Sequence, residues 1–284
     1  MRPEGLDGVT VNRSARRRSA VLLGLLLLLL SGCSSDELPR FGFPEPATEG
    51  GKTTLSLWQG SWIAAFIVGG LVWGLIAFSV IRHRRRDSDA ELPVQTRYNL
   101  PVEILYTVTP LIVVVVLFYF TARDETDLLE LDPNPDVNIH VIGQQWSWTF
   151  NYENEDVYTI GTIAEPPTLY LPVNATTEFT LTSVDVVHDF WVPAFLFKLD
   201  VIPGDPNIIQ MTPTKLGTFS GKCAELCGTY HSDMLFTVEV VTDEEYADHI
   251  AELEDRDQTG QIFEDLKDEE LGSPRVEPGE GELS

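Results

Sequence analysis

The apolar residues form three long runs, followed by a region of short alternating segments. The first run, Val21–Leu30, has ten residues. That is too short to cross a bilayer core of about 30 Å at about 1.5 Å per residue. It therefore predicts a signal peptide over residues 1–33. Trp62–Ile81 and Pro101–Phe120 are long enough to span and predict a transmembrane hairpin over residues 62–120. The alternative is a buried hairpin of a soluble protein, which fits poorly because both runs are apolar on every face.

Charge around the hairpin predicts its orientation. The loop 82–100 carries five arginines, whereas the outer flanks carry few. The positive-inside rule places this loop in the cytoplasm, and both the segment 34–61 and everything after Thr121 outside. Cys33 directly follows Leu-Ser-Gly at the end of the signal and resembles the lipidated cysteine of bacterial lipoproteins. The alternative is an ordinary signal peptide with an incidental cysteine.

After a linker over residues 121–135, the pattern changes to short β-branched and aromatic segments separated by Pro, Gly, Asn and Asp. Segments of this kind over residues 136–241 predict an all-β sandwich or barrel. Thr242 and Glu245 have the spacing of a capping box and predict a short helix over residues 242–256. One face of that helix carries the apolar residues Tyr246, Ile250 and Leu253. The fold class predicted is an α+β membrane protein: a two-helix hairpin, a sandwich and a C-terminal helix.

The composition is strongly acidic. The chain has 19 basic and 44 acidic side chains and a net charge of −25. This argues against nucleic acid or anionic lipid as a partner and favours a cationic partner or a salty habitat, although an acidic surface that only maintains solubility is an alternative. Residues 243–284 contain sixteen acids against three basic residues. The final stretch, 257–284, is predicted to be a disordered acidic tail.

The candidate chemistry lies in "GKCAELCGTYHSDM", residues 221–234. Cys223, Cys227, His231 and Met234 offer two thiolates, an imidazole and a thioether, which are ligands that suit copper better than an oxygen-bound ion. A single-copper site needs one thiolate, two imidazoles and a weak methionine, so this loop has one thiolate more than required. The simplest use of the extra sulfur is for both thiolates to bridge two copper ions, with a second histidine supplied from elsewhere.

His188 is the best-placed second histidine. It lies where a predicted strand ends against Pro193, at the rim where the cysteine loop could meet it. His83 falls in the cytoplasmic loop, His249 on the terminal helix, and His140 in an early strand with no companion ligand.

Two alternatives use the same cysteines. In an oxidising compartment Cys223 and Cys227 could form a disulfide. That leaves His231 and Met234 unexplained. A structural zinc site with two cysteines and two histidines would not use the methionine.

The loop resembles the dinuclear copper A (CuA) loop of subunit II of haem-copper cytochrome c oxidases, and the resemblance extends from Trp62 to about Arg256. "VDVVHDFWVPAFLFKLDVIPG" and "GQQWSWTF" resemble that family's first-histidine segment and aromatic strand. The resemblance implies a cupredoxin-like domain with two copper ions. It assigns Cys223 and Cys227 as bridging ligands, His188 and Met234 to one ion, and His231 with the backbone carbonyl of Glu225 to the other.

The resemblance also implies roles for three further side chains. Glu225 would bind a magnesium or manganese ion at the interface with subunit I, the alternative being a solvated loop residue. Trp146 would admit electrons. Strand alternation places it on the core face with Trp148, so the role requires Trp146 to protrude at the end of the run. Glu103 would mark the entrance of a proton path, although a carboxylate in the first turn of a helix needs no function.

The implied function is electron entry into a proton-translocating terminal oxidase in a bacterial cell membrane, with a multi-pass chain and the copper domain outside. Cytochrome c, or a membrane-bound c-type cytochrome, would donate electrons, and haem in subunit I would receive them for oxygen reduction beside subunit III. Alternatives are the CuA subunit of a nitric oxide reductase and a membrane-tethered copper-binding or delivery module. A quinol-oxidase subunit II lacks these copper ligands.

The sequence departs from the family pattern in several places. Asp205 and Pro206 stand where a basic residue is usual, and Asn151 and Asn154 stand where several members have acids. An acidic docking patch would therefore use other acids, namely Glu153, Glu155, Asp156 and Asp185.

Overall fold

The structure is a computed structural model that describes residues 21, 37–84 and 95–267. The proposed lipidation site Cys33, most of the signal peptide, residues 85–94 of the arginine-rich loop and residues 268–284 lie outside the described residues. The chain divides into two compact units, residues 1–43 and 44–284. The second unit contains every element described below.

Two long helices precede the outer domain, α1 (Glu49–Arg82) and α2 (Leu100–Leu129). The side chain of Thr48 caps α1 by accepting a hydrogen bond from the Gly51 amide at 3.0 Å. Both helices are long and apolar enough to cross a membrane, and the apolar windows are exposed within the described part of the chain. Helices that are apolar all round and unburied within their own chain are what a bilayer covers.

The observed helices are longer than the predicted spans at their outer ends. α1 begins at Glu49 instead of Trp62, so much of the predicted N-terminal segment is helical. α2 runs to Leu129 instead of Phe120, which shortens the predicted linker. The hydropathy pattern registers only the lipid-facing part of a helix. Residues 49–61 and 121–129 contain no proline to interrupt the backbone hydrogen bonds, so each helix continues through polar sequence.

The outer domain is a sandwich of two five-stranded sheets. The first sheet has the order β3-β2-β1-β5-β8 and the second has the order β4-β10-β9-β6-β7. The strands are β1 (Val137–Gln144), β2 (Ser147–Tyr152), β3 (Val157–Ile160), β4 (Thr168–Pro172), β5 (Thr177–Ser183), β6 (His188–Val192), β7 (Phe197–Val201), β8 (Asn207–Met211), β9 (Gly217–Cys223) and β10 (Leu235–Val241). Pairing is antiparallel except for β1 with β5 and β4 with β10. The predicted fold class is confirmed.

Aromatic side chains from both sheets fill the space between them. Trp148 and Phe150 from β2 meet Phe190 from β6 and Phe236 from β10, and all four are buried. The rings of Phe190 and Phe236 stack with centroids 4.9 Å apart. Burying each such side chain contributes about 1.5–3 kcal/mol. This packed core fixes the strand ends that carry the candidate site.

The predicted C-terminal helix is present as α3 (Asp243–Asp255), with the Thr242–Glu245 capping box formed. Its buried face is the predicted one: Tyr246, Ile250 and Leu253. On the same helix, the ring of His249 stacks on Tyr170 with centroids 3.7 Å apart. Burial lowers the pKa of His249 to about 4, so this imidazole is neutral at pH 7. His249 is therefore a packing residue of the helix.

The prediction of a disordered tail from residue 257 is wrong at its start. Thr259 bridges Val157 of the edge strand β3, and the Asn151 side chain both donates to the Ile262 carbonyl (2.7 Å) and accepts from the Ile262 amide (3.2 Å). Composition could not reveal this because the contacts are backbone hydrogen bonds to a strand edge and to one buried amide. They also give a structural role to Asn151, which is fully buried.

Candidate metal centre

The candidate site forms where β9 ends and β6 begins. Cys223 is the last residue of β9 and pairs with Phe190 of β6. His188 is the first residue of β6, whereas the sequence suggested the end of a strand. Both positions place the side chains at the same rim of the sandwich. Between β9 and β10, residues 224–234 form a loop with a 3-10 turn at His231–Asp233.

Five predicted donors converge at this rim. The sulfurs of Cys223 and Cys227 lie 3.9 Å apart. His188 Nδ1 lies 3.9 Å from the sulfur of Cys223, and His231 Nδ1 lies 3.7 Å from that of Cys227. The thioether of Met234 lies 3.7 Å from the Cys227 sulfur. His188, Cys223 and Cys227 form a buried group that could hold a metal ion.

These spacings fit ligands that share an ion. Two donors bound tetrahedrally at about 2.0–2.3 Å lie about 3.6 Å from each other. The cysteines are free, and their sulfurs are too far apart for a disulfide bond of about 2.05 Å, so the disulfide alternative is not formed. The carbonyl oxygen of Glu225 lies 3.2 Å from the Cys223 sulfur, which places it beside the other donors. A set of sulfur and imidazole donors of this kind fits copper.

Burial sets the protonation state of the donors. Burial and the neighbouring Cys223 raise the pKa of the Cys227 thiol to about 12. Burial also lowers the pKa of His188, against the opposing effect of Asp185, so its imidazole is neutral at pH 7. A metal must therefore displace the proton of the Cys227 thiol but finds His188 ready to bind.

Asp185 orients His188. The Nε2 atom of His188 lies 2.9 Å from Asp185 Oδ1, so the ring donates from Nε2 and turns its Nδ1 lone pair towards Cys223. The same carboxylate accepts from the backbone amides of Gln145 and Val186, each at 2.7 Å. Partial burial alone would raise the pKa of Asp185, but the hydrogen bonds from Gln145, His188 and Val186 outweigh it and lower that pKa.

Removing this carboxylate is expected to weaken metal binding. In Asp185→Ala, His188 loses the partner that fixes its tautomer and ring angle, so copper affinity should fall about 10–100-fold. Asp185→Asn keeps an acceptor oxygen, so its copper affinity should fall less. Competition titration of the full-length protein with a copper chelator measures both values.

The matched control is Asp233→Asn, which removes the same charge from an exposed residue of the copper loop. We expect its affinity to stay close to that of the unchanged protein. If Asp185→Ala and Asp233→Asn weakened binding equally, the effect of Asp185 would be general electrostatics instead of ligand orientation.

Trp146 occupies the two-residue turn between β1 and β2, beyond the end of the β2 core face. It is half-buried, and its ring meets Tyr230 edge-to-face with centroids 5.0 Å apart. Gln145 ties this turn to the loop by donating to the Cys227 carbonyl at 2.6 Å. Gly228 lies against the indole with a φ of +134°, and a Cβ there would come 3.0 Å from Trp146 Nε1. Trp146 therefore lies in a turn past the end of the β2 core face and packs against Tyr230 and Gly228 of the loop.

The other predicted site residues are in different settings. The Glu225 side chain is exposed. Both an interface metal ligand and a solvated loop residue require this. Glu103 lies in the first turn of α2 and accepts a hydrogen bond from the Asn99 amide at 2.9 Å, which gives it a local capping role. Met234 is fully buried.

The acids of the predicted docking patch lie in two places. Glu153, Glu155 and Asp156 lie in the turn after β2, whereas Trp146 lies before β2. The six residues of β2 separate the two ends by about 20 Å. Of the predicted acids only Asp185 lies beside the candidate site, and the exposed Glu225 and Asp233 of the loop join it there.

Three side chains make contacts at the site that the sequence analysis did not assign. Asp185 was named only as a docking acid, and Gln145 and Tyr230 were not singled out. The aspartate three residues before His188 was the available signal, because a short side chain at that spacing can reach back to an imidazole.

Two helices long and apolar enough to cross a membrane, followed by a β-sandwich whose rim gathers two thiols, two imidazoles and a thioether, indicate a membrane-attached protein with a domain that could hold a metal ion. The family model "Cytochrome C oxidase subunit II, periplasmic domain" matches residues 137–241. The probable cytochrome c oxidase subunit 2 of Streptomyces avermitilis is 48% identical over 302 residues, covering 92% of this chain and 94% of the relative. The cytochrome c oxidase subunit 2 of Mycobacterium bovis is 36% identical, covering 86% and 84%.

The chain belongs to the cytochrome c oxidase subunit II family, as the sequence predicted. Among solved structures, it is similar to the periplasmic domain of subunit II of cytochrome oxidase from Bradyrhizobium japonicum, with 30% identity and a TM-score of 0.41 over 44% of this chain and 99% of that one. Family membership makes the chain part of a haem-copper terminal oxidase, with a membrane-attached portion and subunit I as its partner.

Proposed function

We propose that this chain is the electron-entry subunit of its oxidase and that it holds two copper ions in a CuA centre at the rim described above. The observation that carries the proposal is the convergence of two free thiols with two imidazoles and a buried thioether, each within 3.9 Å of a cysteine sulfur. Cys223 and Cys227 would bridge the ions. His188 and Met234 would complete one ion, and His231 with the Glu225 carbonyl the other.

When bound, the copper pair would supply a group that accepts and gives up one electron at a time. The protein's part is to keep the donors fixed. Asp185 holds His188, the Cys223 amide donates to the Met234 carbonyl at 3.0 Å, and the Ala224 amide donates to the Asp189 carbonyl at 3.1 Å. Strand pairing fixes the ends of β6 and β9 that carry His188 and Cys223, and the sulfurs of Cys223, Cys227 and Met234 are buried away from water.

The donor would be cytochrome c or a membrane-bound c-type cytochrome. Asp185 and Asp233 place negative charge beside the loop, which favours a cationic surface and speeds its approach. The Trp146 ring contacts Tyr230 of the loop, and its neighbour Gln145 donates to the Cys227 carbonyl. We propose Trp146 as the electron-entry residue, with transfer onward to haem in subunit I for oxygen reduction coupled to proton translocation.

Several finer assignments complete the proposal. The exposed Glu225 carboxylate would bind magnesium or manganese together with subunit I. Glu103 would sit at the entrance of a proton path, in addition to its capping role. The chain would be lipidated at Cys33 and would cross a bacterial cell membrane more than once, beside subunit III.

Electron paramagnetic resonance of the copper-loaded, full-length protein tests the centre. One unpaired electron shared equally by two copper nuclei, each of spin three-halves, gives a seven-line hyperfine pattern, whereas a single copper gives four lines. Two copper ions per chain with a seven-line spectrum are expected. A four-line spectrum, or only one copper ion per chain, would contradict the proposal.

A further inference from the structure

The outer face of the second sheet carries an unusual pair of cations beside the metal centre. Residues 137–241 contain twelve acidic side chains and only three lysines. Two of those lysines meet at one ring: Lys222 Nζ lies 4.4 Å from the centroid of Trp191, and Lys198 Nζ lies 5.9 Å from it. Most of the positive charge of an acidic domain is thus gathered at one point.

Strand pairing fixes this arrangement. Lys198 of β7, Trp191 of β6, Lys222 of β9 and Leu235 of β10 are successive cross-strand partners. We call these four residues the lysine–tryptophan row. Lys222 immediately precedes Cys223, so the row lies directly beside the metal centre. Because four strands of one sheet hold it, the row is a preformed surface.

Only one of the two cations has an acidic partner among the described residues. Lys198 pairs with the buried Asp189 at 3.8 Å. Lys222 has no ion pair among the described residues, and its ammonium group lies over the ring of Trp191. Two ammonium groups on one ring repel each other, and the ring offsets only part of that repulsion. An anionic partner would relieve it, and a half-exposed tryptophan with the 43% exposed Leu235 provides the apolar centre of an interface.

We propose that the lysine–tryptophan row docks an acidic protein surface of the haem-bearing subunit, with carboxylates placed against Lys198 and Lys222. This rests on the proposed function. It separates two surfaces by charge: the acids around the copper loop attract a cationic donor, whereas the row repels that donor and attracts an anion.

The row begins at a strand that contacts the helices. Leu199 of β7 lines a cavity with Leu57 of α1. Lys222 lies two strands farther along the sheet than β7, about 10 Å. The vesicle measurement described below distinguishes a protein partner from a lipid headgroup.

The test uses affinity-tagged, full-length protein purified with its oxidase from membranes. Lys198→Glu/Lys222→Glu is expected to lower the haem recovered per chain about tenfold at moderate salt. Lys215→Glu, which changes the third lysine, is the matched control and should retain haem. Trp191→Ala keeps both charges and should cause a smaller loss.

Copper content and its spectrum, measured on the same samples, distinguish the two proposals. If the copper spectrum is normal and the double variant retains as much haem as Lys215→Glu, the docking proposal is wrong while the proposed function stands. If the unchanged protein lacks the dinuclear spectrum, the proposed function fails. A last measurement tests lipid binding. If the unchanged protein binds anionic but not neutral vesicles, and the double variant loses this binding while it retains haem, the row binds lipid and the proposal is overturned.

Discussion

Replacing Cys227 by serine is expected to abolish the dinuclear copper spectrum and to reduce electron transfer through this chain to background. The Cys227 sulfur lies close to three other donors: it is 3.9 Å from Cys223, 3.7 Å from His231 and 3.7 Å from Met234. A serine hydroxyl remains protonated and hard, so it cannot take the place of a bridging thiolate. Spectra of the copper-loaded protein and oxidation of reduced cytochrome c by the assembled oxidase measure the two effects.

Met234→Leu provides the comparison. It preserves volume in the fully buried position of Met234 and leaves both sulfurs in place. We expect this variant to keep a seven-line spectrum with altered splitting, because the electron is still shared through two thiolates. A seven-line spectrum in Cys227→Ser would show that the cysteines do not bridge two ions, and the proposed centre would then be wrong.

The donor set could be predicted because its members are rare and chemically distinctive. Only five histidines occur in the chain. One of them, His231, lies in the copper loop, and the other four could be compared as second ligands by their positions in the sequence. His188 was selected as lying at the end of a strand, and the structure places it at the start of β6. Both ends of a strand lie at a rim of the sandwich. The choice of His188 was therefore unaffected by the error in the predicted position of the strand.

The hydrogen bonds around the donors could not be predicted. The link from Asp185 to His188 depends on a turn after β5, and the link from Gln145 to the Cys227 carbonyl joins residues 82 positions apart. Sequence spacing carries no information about contacts of that separation. An aspartate in an acidic chain is also easily taken for surface charge, which is how Asp185 was first interpreted.

Errors in the element bounds have a common origin. Hydropathy marks where a helix meets lipid, and α1 and α2 both extend beyond that boundary because their backbones remain helical in polar sequence. The segment after α3 shows the converse. Its polar composition predicts disorder, yet Thr259 and Ile262 are held by backbone hydrogen bonds at the β3 edge and at Asn151. Burial of apolar area is one route to order, and hydrogen bonding at an exposed strand edge is another.

The core between the sheets should show strong coupling between Phe236 and Gly221. Phe236 is buried against Trp148, Phe150 and Phe190, so Phe236→Ala is expected to lower the free energy of unfolding by about 3–5 kcal/mol. A Cβ on Gly221 would lie 2.1 Å from the Phe236 ring, so Gly221→Ala should cost about 1–3 kcal/mol by overpacking. In the double variant the new methyl group enters the space that the ring has left, and the combined cost should be well below the sum.

Thermal and urea unfolding of the full-length protein in detergent, followed by near-ultraviolet circular dichroism of the buried tryptophan, measure all three variants. Leu235→Ala, the neighbouring and 43% exposed position, is the control and should change stability by no more than about 0.5 kcal/mol. Additive costs in the double variant would mean that the Gly221 backbone does not pack on the Phe236 ring. Because Gly221 lies two residues before Cys223 on β9, the same strain should also weaken copper binding in Gly221→Ala and be relieved in the double variant.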